Sequence, residues 1–382
     1  MAGALKAPGG PPFRAEHIGS LLRPARLIAA RRRLGAGDIG PDELAVIEEE
    51  EIAGAVRLQE AAGLAVVTDG EFRRTSYHSY FYSRLCERPG DIVIDAVPAA
   101  DIAAGDGRGA QPVARIAGRI TWRDPIHVDD FRRLERIAGG CEATPRLTPK
   151  VTIPGPCALH FRGGDAAVTA SAYVDVEAFW SDIVGAFRAE LAALAAAGCR
   201  YVQIDETAFA KFGDPDVQAM LAARGDDWNA LIDRYIDVTN AVVHGFPELV
   251  IGMHLCRGNR GGRWHASGGY DAVAERLFNR LDIDLFFLEY DTPRAGDFTP
   301  LRFLPGHKTV ILGLVSTKTE AMEDIDDLRR RVAEAGRFVD VDRLGISPQC
   351  GFASIETGNP VTASAQEAKL RLVVDTARAI WN

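Results

Sequence analysis

Short apolar runs rich in β-branched residues recur along the chain, and each of them ends in polar side chains. Runs of this length, followed by stretches with helical spacing, predict buried strands of a sheet. The sequence contains eight of them: EHIGS, LAVVTDGE, PKVTIPGP, RYVQIDE, LVIGMHLC, DLFFLEY, KTVILGLVSTK and LGISPQCG. The pattern therefore predicts eight strands.

Helical segments separate most of these runs. Pro41–Ala62 begins with a proline suited to a first helical turn and carries acidic residues early. The segment 176–197 is rich in alanine and is followed by Gly198, a residue typical of helix ends. Similar patterns predict helices over 227–244, 270–280, 319–335 and 362–380. Eight strands alternating with helices predict a (β/α)8 TIM barrel, with a doubly wound open sheet as the alternative.

One region interrupts the alternation after the second strand. Within residues 86–140, the segment VARIAGRITW alternates like a hairpin strand, and a short helix is expected near 129–137. We expect this region to be a hairpin and helix inserted into a single barrel domain that covers residues 14–382. The Gly- and Pro-rich residues 1–13 are expected to form a flexible N-terminal arm.

Composition narrows the class of protein. The 382 residues are 47% hydrophobic and 25% charged, which is typical of a globular protein with a large core. The net charge of -9 argues against binding to nucleic acid or to anionic membranes. No apolar run is long enough to span a membrane, and the N-terminus lacks a secretion signal, so a cytoplasmic protein is expected. Formation of a homo-oligomer is left open.

Polar and ligand-type residues concentrate at the ends of the predicted strands. In a parallel barrel the carboxyl ends of the strands and the loops after them form the active face. The residues at these ends are Ser20, Asp69, Glu71, Asp205, Glu206, His254, Cys256, Glu289 and Cys350. Six cysteines in the chain are too few for a disulfide scaffold, so they are expected to be free thiols or ligands.

A metal site is one interpretation of these strand ends. His254 and Cys256 are two residues apart and point to the same side of a strand, and Glu289 and Cys350 end two later strands. Two thiolates, an imidazole and a carboxylate suit Zn²⁺ better than Mg²⁺ or Ca²⁺, which prefer oxygen ligands. The alternative is that the histidine and the cysteines are ordinary core residues.

Two further groups of residues indicate a ligand. Glu71, Asp205 and Glu206 place carboxylates on the same rim, where they would hold an amino group or move protons, unless they cap helices instead. The loop RGNRGGRW carries three arginines suited to a carboxylate, sulfonate or phosphate. A solvated loop is the alternative for these arginines, which are Arg257, Arg260 and Arg263.

Seven motifs resemble one family. HIGS, TDGEFRR, IPGP, QIDE, MHLC, FLEY and SPQCG are similar to motifs of the cobalamin-independent methionine synthases, in their catalytic C-terminal barrel and its short single-barrel relatives. The resemblance runs from about residue 14 to the C-terminus, apart from the insertion. It implies a zinc ion held by His254, Cys256, Glu289 and Cys350, which binds a thiol acceptor and keeps it as a thiolate.

The resemblance also implies how homocysteine would bind. Ser20 and nearby backbone would meet its carboxylate, and Glu71 and Asp205 would meet its ammonium group, with Glu206 beside them. The long synthases carry a histidine after the seventh strand that is implicated in protonating the folate leaving group. Here Lys318 stands in that place, so Lys318 is expected as the acid, and the donor is expected to be methyltetrahydrofolate or another methyl compound.

The expected function is therefore zinc-dependent S-methyl transfer from that donor to homocysteine, which gives methionine, with Asp205 as a further catalytic residue. One alternative is transfer of a larger alkyl group to a sulfonate thiol such as coenzyme M, which the arginine loop favours and the amino-binding carboxylates disfavour. A second alternative is a closed, non-enzymatic metal site. A third is a metal-free barrel resembling the uroporphyrinogen decarboxylases.

Overall fold

A computed structural model of the chain describes residues 13–94, 113–139, 147–169 and 172–381. The strands in this part are β1 (Val66–Val67), β2 (Ile92–Ile94), β3 (Ala114–Ile116), β4 (Thr148–Pro149), β5 (Val151–Pro154), β6 (Tyr201–Asp205), β7 (Val250–Leu255), β8 (Leu285–Glu289), β9 (Thr309–Val315) and β10 (Leu344–Pro348). β5 to β10 form a six-stranded sheet in chain order. All of its neighbouring strands are parallel.

The two edges of this sheet are joined by three further segments. β4 continues into β5 after Lys150 and pairs in parallel with β1. At the other edge Ala15 forms a parallel bridge to Ile346 in β10. The N-terminal segment returns to the loop after β1, where Leu21 N donates to Gly70 O over 3.1 Å. The predicted barrel is confirmed, and the open-sheet alternative is wrong, because the segments close into a ring.

A buried ion pair fixes the N-terminal segment inside the barrel. Lys150 Nζ lies 3.1 Å from Glu16 Oε2, and both side chains are fully buried. The Tyr201 hydroxyl donates to the other oxygen of Glu16 over 2.8 Å. Because a buried charge is costly without a partner, these contacts determine where residues 14–18 lie. Ser20 is thereby placed at the carboxyl end of the barrel.

Helices surround the barrel. They are α1 (Ala25–Ala36), α2 (Pro41–Ala62), α3 (Ser79–Tyr82), α4 (Val128–Ala138), α5 (Ala158–Thr169), α6 (Val176–Ala196), α7 (Ala208–Lys211), α8 (Pro215–Arg224), α9 (Trp228–Val243), α10 (Ala274–Arg280), α11 (Ile325–Ala335) and α12 (Ala363–Trp381). None of the described helices combines the length and the apolar character needed to cross a membrane.

Most of the predicted helices are present, and the differences have local causes. α11 begins at Ile325 rather than near 319 because the Asp324 side chain accepts from Asp326 N and Asp327 N and so caps the helix there. The helix α1 was not predicted, because only Leu27 and Ala30 of its residues are buried. Two buried residues are too few to give the apolar periodicity of a helix.

Replacing Asp324 with alanine is expected to lower the free energy of unfolding by about 1 kcal/mol, because two amide groups of the first turn lose their acceptor. Urea denaturation monitored by circular dichroism would measure it. Asp326→Ala is the matched control in the same turn, since Asp326 is not the cap, and its effect should stay within about 0.5 kcal/mol. Equal losses in the two variants would rule out the capping role.

The predicted insertion contains the expected elements. β2 and β3 pair antiparallel, and α4 follows them. Leu134 and Ala138 of α4 pack against Val56 of α2 and Val67 of β1, so this helix belongs to the outer layer of the barrel. Residues 95–112 and 140–146 of this region lie outside the described residues, as do residues 1–12 of the predicted arm. The division into arm, barrel and insertion stays a prediction.

Candidate active site

A cavity opens at the carboxyl ends of the strands. Six of the residues predicted from strand ends line it: Ser20, Glu71, Asp205, His254, Cys256 and Cys350. They come from the N-terminal segment, the loop after β1 and the ends of β6, β7 and β10. The predicted residues therefore meet at the face on which parallel barrels carry their active sites.

Three candidate metal ligands meet at the wall of the cavity. The ligand atoms of His254, Cys256 and Cys350 all lie within 4.8 Å of one another, and all three residues are buried. Among the described residues, neither ring nitrogen of His254 has a hydrogen-bond partner of ordinary geometry, although the Cys256 sulfur lies close beside the ring. A buried imidazole without a partner is costly, and one nitrogen with two sulfurs is a donor set that suits zinc. The residues present fit a zinc ion.

The two thiols of this cluster differ in acidity. A hydrogen bond from the Cys350 thiol, together with nearby His254, holds the pKa of Cys256 well below its usual range in spite of burial. The same hydrogen bond and burial raise the pKa of Cys350 well above its usual range. Cys256 is thus the more acidic thiol of the pair, and the thiolate is the form of cysteine that binds metal.

Glu289, the predicted fourth ligand, lies outside this cluster. One carboxylate oxygen accepts from Arg257 N over 2.6 Å, and the other accepts from Arg294 Nη2 over 2.5 Å. Burial would raise the pKa of Glu289, but the charges of Lys318, Arg294 and Arg257 hold it well below its usual value. The structure therefore brings together three of the four predicted ligands and pairs the fourth with cations.

Glu71 has an unusual backbone and an unpaired oxygen. It is the described non-glycine residue with positive φ, 61°. Its conformation is held by Asp69 Oδ1, which accepts from Glu71 N over 2.8 Å, and by Arg23 Nη2, which donates to Glu71 O over 2.9 Å. Oε1 accepts from Thr152 Oγ1 over 2.9 Å, whereas buried Oε2 has no partner among the described residues. Such strain is typical of residues held in place for binding.

Asp205 supplies a second carboxylate at the end of β6. Gln203 Nε2 donates to its Oδ1 over 2.7 Å. Burial, with the charges of Glu71 and Cys256, raises the pKa of Asp205 to about 7 although His254 and Gln203 oppose the shift. Two carboxylates that disfavour each other's charge in one buried wall create a site for a cation. An ammonium group matches this requirement.

Ser20 approaches the backbone of the loop after β10. Its Oγ accepts from Ala353 N over 3.3 Å, and Phe352 N donates to Ser20 O over 2.9 Å. A Cβ atom at Gly351 would lie 1.9 Å from Ser20 Oγ, so a larger residue here would displace the Ser20 hydroxyl. Because Gly351 follows Cys350, the same turn sets the position of both Ser20 and a candidate metal ligand.

Comparison with known proteins identifies the family. The family model described as "Cobalamin-independent synthase, Catalytic domain" matches residues 161–379. The chain belongs to this family. A Bacillus subtilis member, "Uncharacterized protein YxjH", is 40% identical over 97% of this chain and 95% of its own length. "Methionine synthase" of Pyrococcus furiosus is 22% identical over 89% of this chain and 86% of its own length.

Solved structures agree with the family and the fold. A "Putative Vitamin-B12 Independent Methionine Synthase from Listeria monocytogenes" matches with a TM-score of 0.71 and 31% identity, over 97% of this chain and 98% of that one. A "B12-independent methionine synthase from Shewanella sp. W3-18-1", solved with selenomethionine, matches with a TM-score of 0.71 and 19% identity over 96% and 97%. The second match concerns the fold alone.

Two predicted residues of this synthase-family chain, Glu206 and Lys318, are not among the described residues that line the cavity. Glu206 is not among the described lining residues, because its carboxylate accepts from Cys157 N and Ala208 N, each over 3.0 Å. It holds the loops after β5 and β6 together, so the prediction of a substrate contact is not supported by its position.

Lys318 is also absent from the described cavity lining. Its Nζ lies 3.2 Å from Glu289 Oε1 and 3.0 Å from Asp291 Oδ2. Burial lowers the pKa of Lys318, but these two carboxylates outweigh it and raise the value above normal. A lysine that donates a proton near neutral pH needs a lowered pKa. The position of Lys318 therefore favours a role as counter-ion of Glu289 over the predicted role as acid.

The three arginines of the RGNRGGRW loop have separate roles. Arg257 is buried, where Nε donates to Gly268 O over 2.6 Å and the guanidinium lies 4.3 Å from the Tyr270 ring centre. Arg260 and Arg263 close a turn through their backbone groups, and Arg260 lines the cavity. Of the three arginines, Arg260 is the one among the described lining residues, and the anion-binding prediction stays a prediction.

Sequence reasoning missed several lining residues. Tyr77 and His78 lie between β1 and α3, and Arg162 and Lys211 lie on α5 and α7. None of them ends a strand, which is the signal used for the others. The helix α5 was also not predicted. The glycines at 163 and 164 interrupt its helical pattern, and Gly164 has a φ of 65° within the helix.

Proposed function

We propose that this chain is a zinc-dependent S-methyltransferase that methylates the sulfur of homocysteine to give methionine. One observation carries the proposal: the unpaired Glu71 Oε2 and the Asp205 carboxylate line the same cavity as His254, Cys256 and Cys350. A substrate with an ammonium group at one end and a thiol at the other matches both parts. The names of relatives such as the Pyrococcus "Methionine synthase" support the same substrate.

His254, Cys256 and Cys350 would hold the zinc. When bound, zinc lowers the pKa of a thiol acceptor so that its sulfur is a nucleophilic thiolate at neutral pH. Catalytic zinc sites have three protein ligands and leave one position for substrate. Three candidate ligands lie together in this chain. Glu289, paired with Arg294 and Lys318, stays near as a fixed negative charge.

The remaining residues orient the acceptor. Glu71 and Asp205 bind its ammonium, and Ser20 Oγ with the neighbouring backbone of the loop after β10 meets its carboxylate. Holding both ends fixes the direction of the sulfur, and such positioning is a large contribution that a protein makes to a displacement reaction. A carbon–sulfur bond forms as the bond between the methyl carbon and the donor's leaving atom breaks, and that atom keeps the electron pair.

Gly351→Ala is expected to weaken homocysteine binding about tenfold, because the new Cβ displaces Ser20 Oγ and removes a hydrogen bond to the carboxylate. Isothermal titration calorimetry would measure the affinity. Gly306→Ala is a matched control, since a Cβ there meets nothing within 4 Å. Unchanged binding in Gly351→Ala with an intact fold would remove Ser20 from the binding site.

Alkyl transfer to a sulfonate thiol such as coenzyme M is the second candidate. Arg260 and Arg162 line the cavity and favour an anion there. The two carboxylates disfavour it, because coenzyme M has no amine for them to bind. Tight binding of coenzyme M with none of homocysteine would reverse the order of the two candidates.

Turnover tests the proposal. The zinc-loaded protein is supplied with homocysteine and, in separate reactions, with methyltetrahydrofolate mono- and triglutamates, methylcobalamin and S-methylmethionine, and methionine is measured by mass spectrometry. We expect methionine with at least one donor. Absence of methionine with every donor, together with alkylation of coenzyme M under the same conditions, would contradict the proposal.

A further inference from the structure

One buried arginine joins the three segments that would hold the amino-acid end of homocysteine. Arg23 comes three residues after Ser20 in the N-terminal segment, and its side chain is almost fully buried. The other two segments are the loop after β1, which carries Glu71, and the loop after β10, which carries Gly351. The proposed function uses these three segments to bind the ammonium and the carboxylate of the acceptor.

In the described part of the chain, every hydrogen bond that the Arg23 guanidinium donates ends on a backbone carbonyl. Nη1 donates to Leu21 O over 3.1 Å and to Ala353 O over 2.5 Å. Nη2 donates to Glu71 O over 2.9 Å and to Arg74 O over 3.1 Å. These four carbonyls are distributed over the three segments, so one side chain fixes the path of the main chain in all of them.

The backbone that this guanidinium holds lies directly beside the groups that would bind the substrate. The Ala353 amide donates to Ser20 Oγ over 3.3 Å. Arg74 Nη1 donates to Thr152 Oγ1 over 3.1 Å, and that hydroxyl donates to Glu71 Oε1 over 2.9 Å. A shift of these backbone segments would therefore move both the Ser20 hydroxyl and the Glu71 carboxylate.

The charge of Arg23 is costly where it lies. Burial lowers the pKa of Arg23 to about 10, although the charge of Glu71 opposes the shift. A buried charge contributes little to stability in comparison with an apolar group of similar volume. What the guanidinium does supply is a rigid, planar set of donors, which neither a lysine nor an apolar side chain can present.

We propose that Arg23 is a positioning residue that sets the spacing between the carboxylate-binding and the ammonium-binding parts of the acceptor site. This inference rests on the proposed function, because it concerns how the amino-acid end of homocysteine is recognised. Arg23 itself touches no substrate and acts through Ser20 and Glu71. Its hydrogen bonds do not include the three residues of the metal cluster, so binding of the thiol to the metal should not depend on it.

Affinities for two thiols, measured by calorimetry on the zinc-loaded protein, test this role. Homocysteine has the amino-acid end, and propanethiol is the same thiol without it. Arg23→Met keeps the length of the side chain and Arg23→Lys keeps its charge, but neither presents the planar set of donors. We expect each variant to bind homocysteine about tenfold more weakly than the wild type does, and propanethiol within about twofold of the wild type.

Arg343→Met is the matched control. Arg343 Nη1 donates to Pro305 O over 2.7 Å and to Lys308 O over 3.2 Å, at the amino ends of β9 and β10 and thus at the opposite end of the barrel. The change removes the same kind of hydrogen bond, and both affinities should equal those of the wild type. Arg23→Lys carries the test if circular dichroism shows that Arg23→Met does not fold.

A double variant separates positioning from a general loss of structure. Because Arg23 acts in part through Glu71, Arg23→Met combined with Glu71→Gln should weaken homocysteine binding by less than the product of the two single losses. Single losses that multiply would overturn the inference.

Two results with the single variants would also overturn the inference. One is homocysteine affinity that stays unchanged in Arg23→Met and Arg23→Lys, and the other is an equal loss of affinity for both thiols. Both results leave the proposed function standing. A wild type that binds homocysteine no more tightly than propanethiol would contradict the proposed function, and the role of Arg23 with it.

Discussion

Replacing Cys256 or Cys350 with serine is expected to remove tight zinc binding. Each change takes one of two sulfurs from a three-residue cluster and leaves a weak hydroxyl ligand in its place. Loss of residues that merely support a ligand already costs about 10–100-fold in metal affinity, so loss of a ligand should exceed about 100-fold. Zinc content after dialysis, measured by inductively coupled plasma mass spectrometry, and competition with a chelating dye give the two readouts.

Cys86→Ser is the matched control for this experiment. It makes the same chemical change at a buried free thiol that does not line the cavity among the described residues. We expect its zinc content and affinity to equal those of the wild type. Wild-type zinc binding in both Cys256→Ser and Cys350→Ser would show that the metal lies elsewhere.

Asp205→Asn and Glu71→Gln are each expected to raise the activation free energy that kcat/KM for homocysteine reports by about 2–5 kcal/mol, which is a loss of about 30-fold or more. Both changes keep the shape of the side chain but remove the negative charge that holds the ammonium. Zinc content should not change, because neither residue belongs to the metal cluster. Steady-state kinetics together with calorimetric affinity for homocysteine would measure the effect.

Glu177→Gln is a control for the loss of an acid. Glu177 is an exposed partner of Arg234 at 2.6 Å and lies on α6, away from the cavity lining that the structure describes. Kinetics like those of the wild type are expected. If Asp205→Asn and Glu71→Gln also kept full affinity for homocysteine, the acceptor's ammonium would have to bind elsewhere.

The barrel and most of the site could be predicted because both depend on short-range patterns. Apolar runs identify strands, and the carboxyl ends of parallel strands meet at one face whatever the loops do. His254 in β7 and Cys256 directly after β7 are two residues apart and share a side, and Cys350 follows β10, so their meeting follows from strand order. Asp205 reaches the cavity for the same reason.

The predicted residues that lie outside the described cavity lining and the metal cluster are those whose direction is set by a loop or a neighbouring cation. Glu206 comes one residue after β6 and turns to the amides of Cys157 and Ala208. Glu289 ends β8, but its carboxylate forms ion pairs with Arg294 and Lys318 and is not part of the metal cluster. Ion pairs of this kind leave no periodic pattern in a sequence. Arg162 lies on α5 and not at a strand end, so no sequence pattern marked it as a lining residue either.

X-ray absorption at the zinc edge, with and without homocysteine, tests the central claim most directly. The account predicts two sulfur ligands, from Cys256 and Cys350, in the protein alone and a third sulfur when homocysteine is added. Selenohomocysteine in place of homocysteine should place selenium in the same shell. A zinc environment that stays unchanged at saturating homocysteine would contradict activation of the acceptor thiol by the metal.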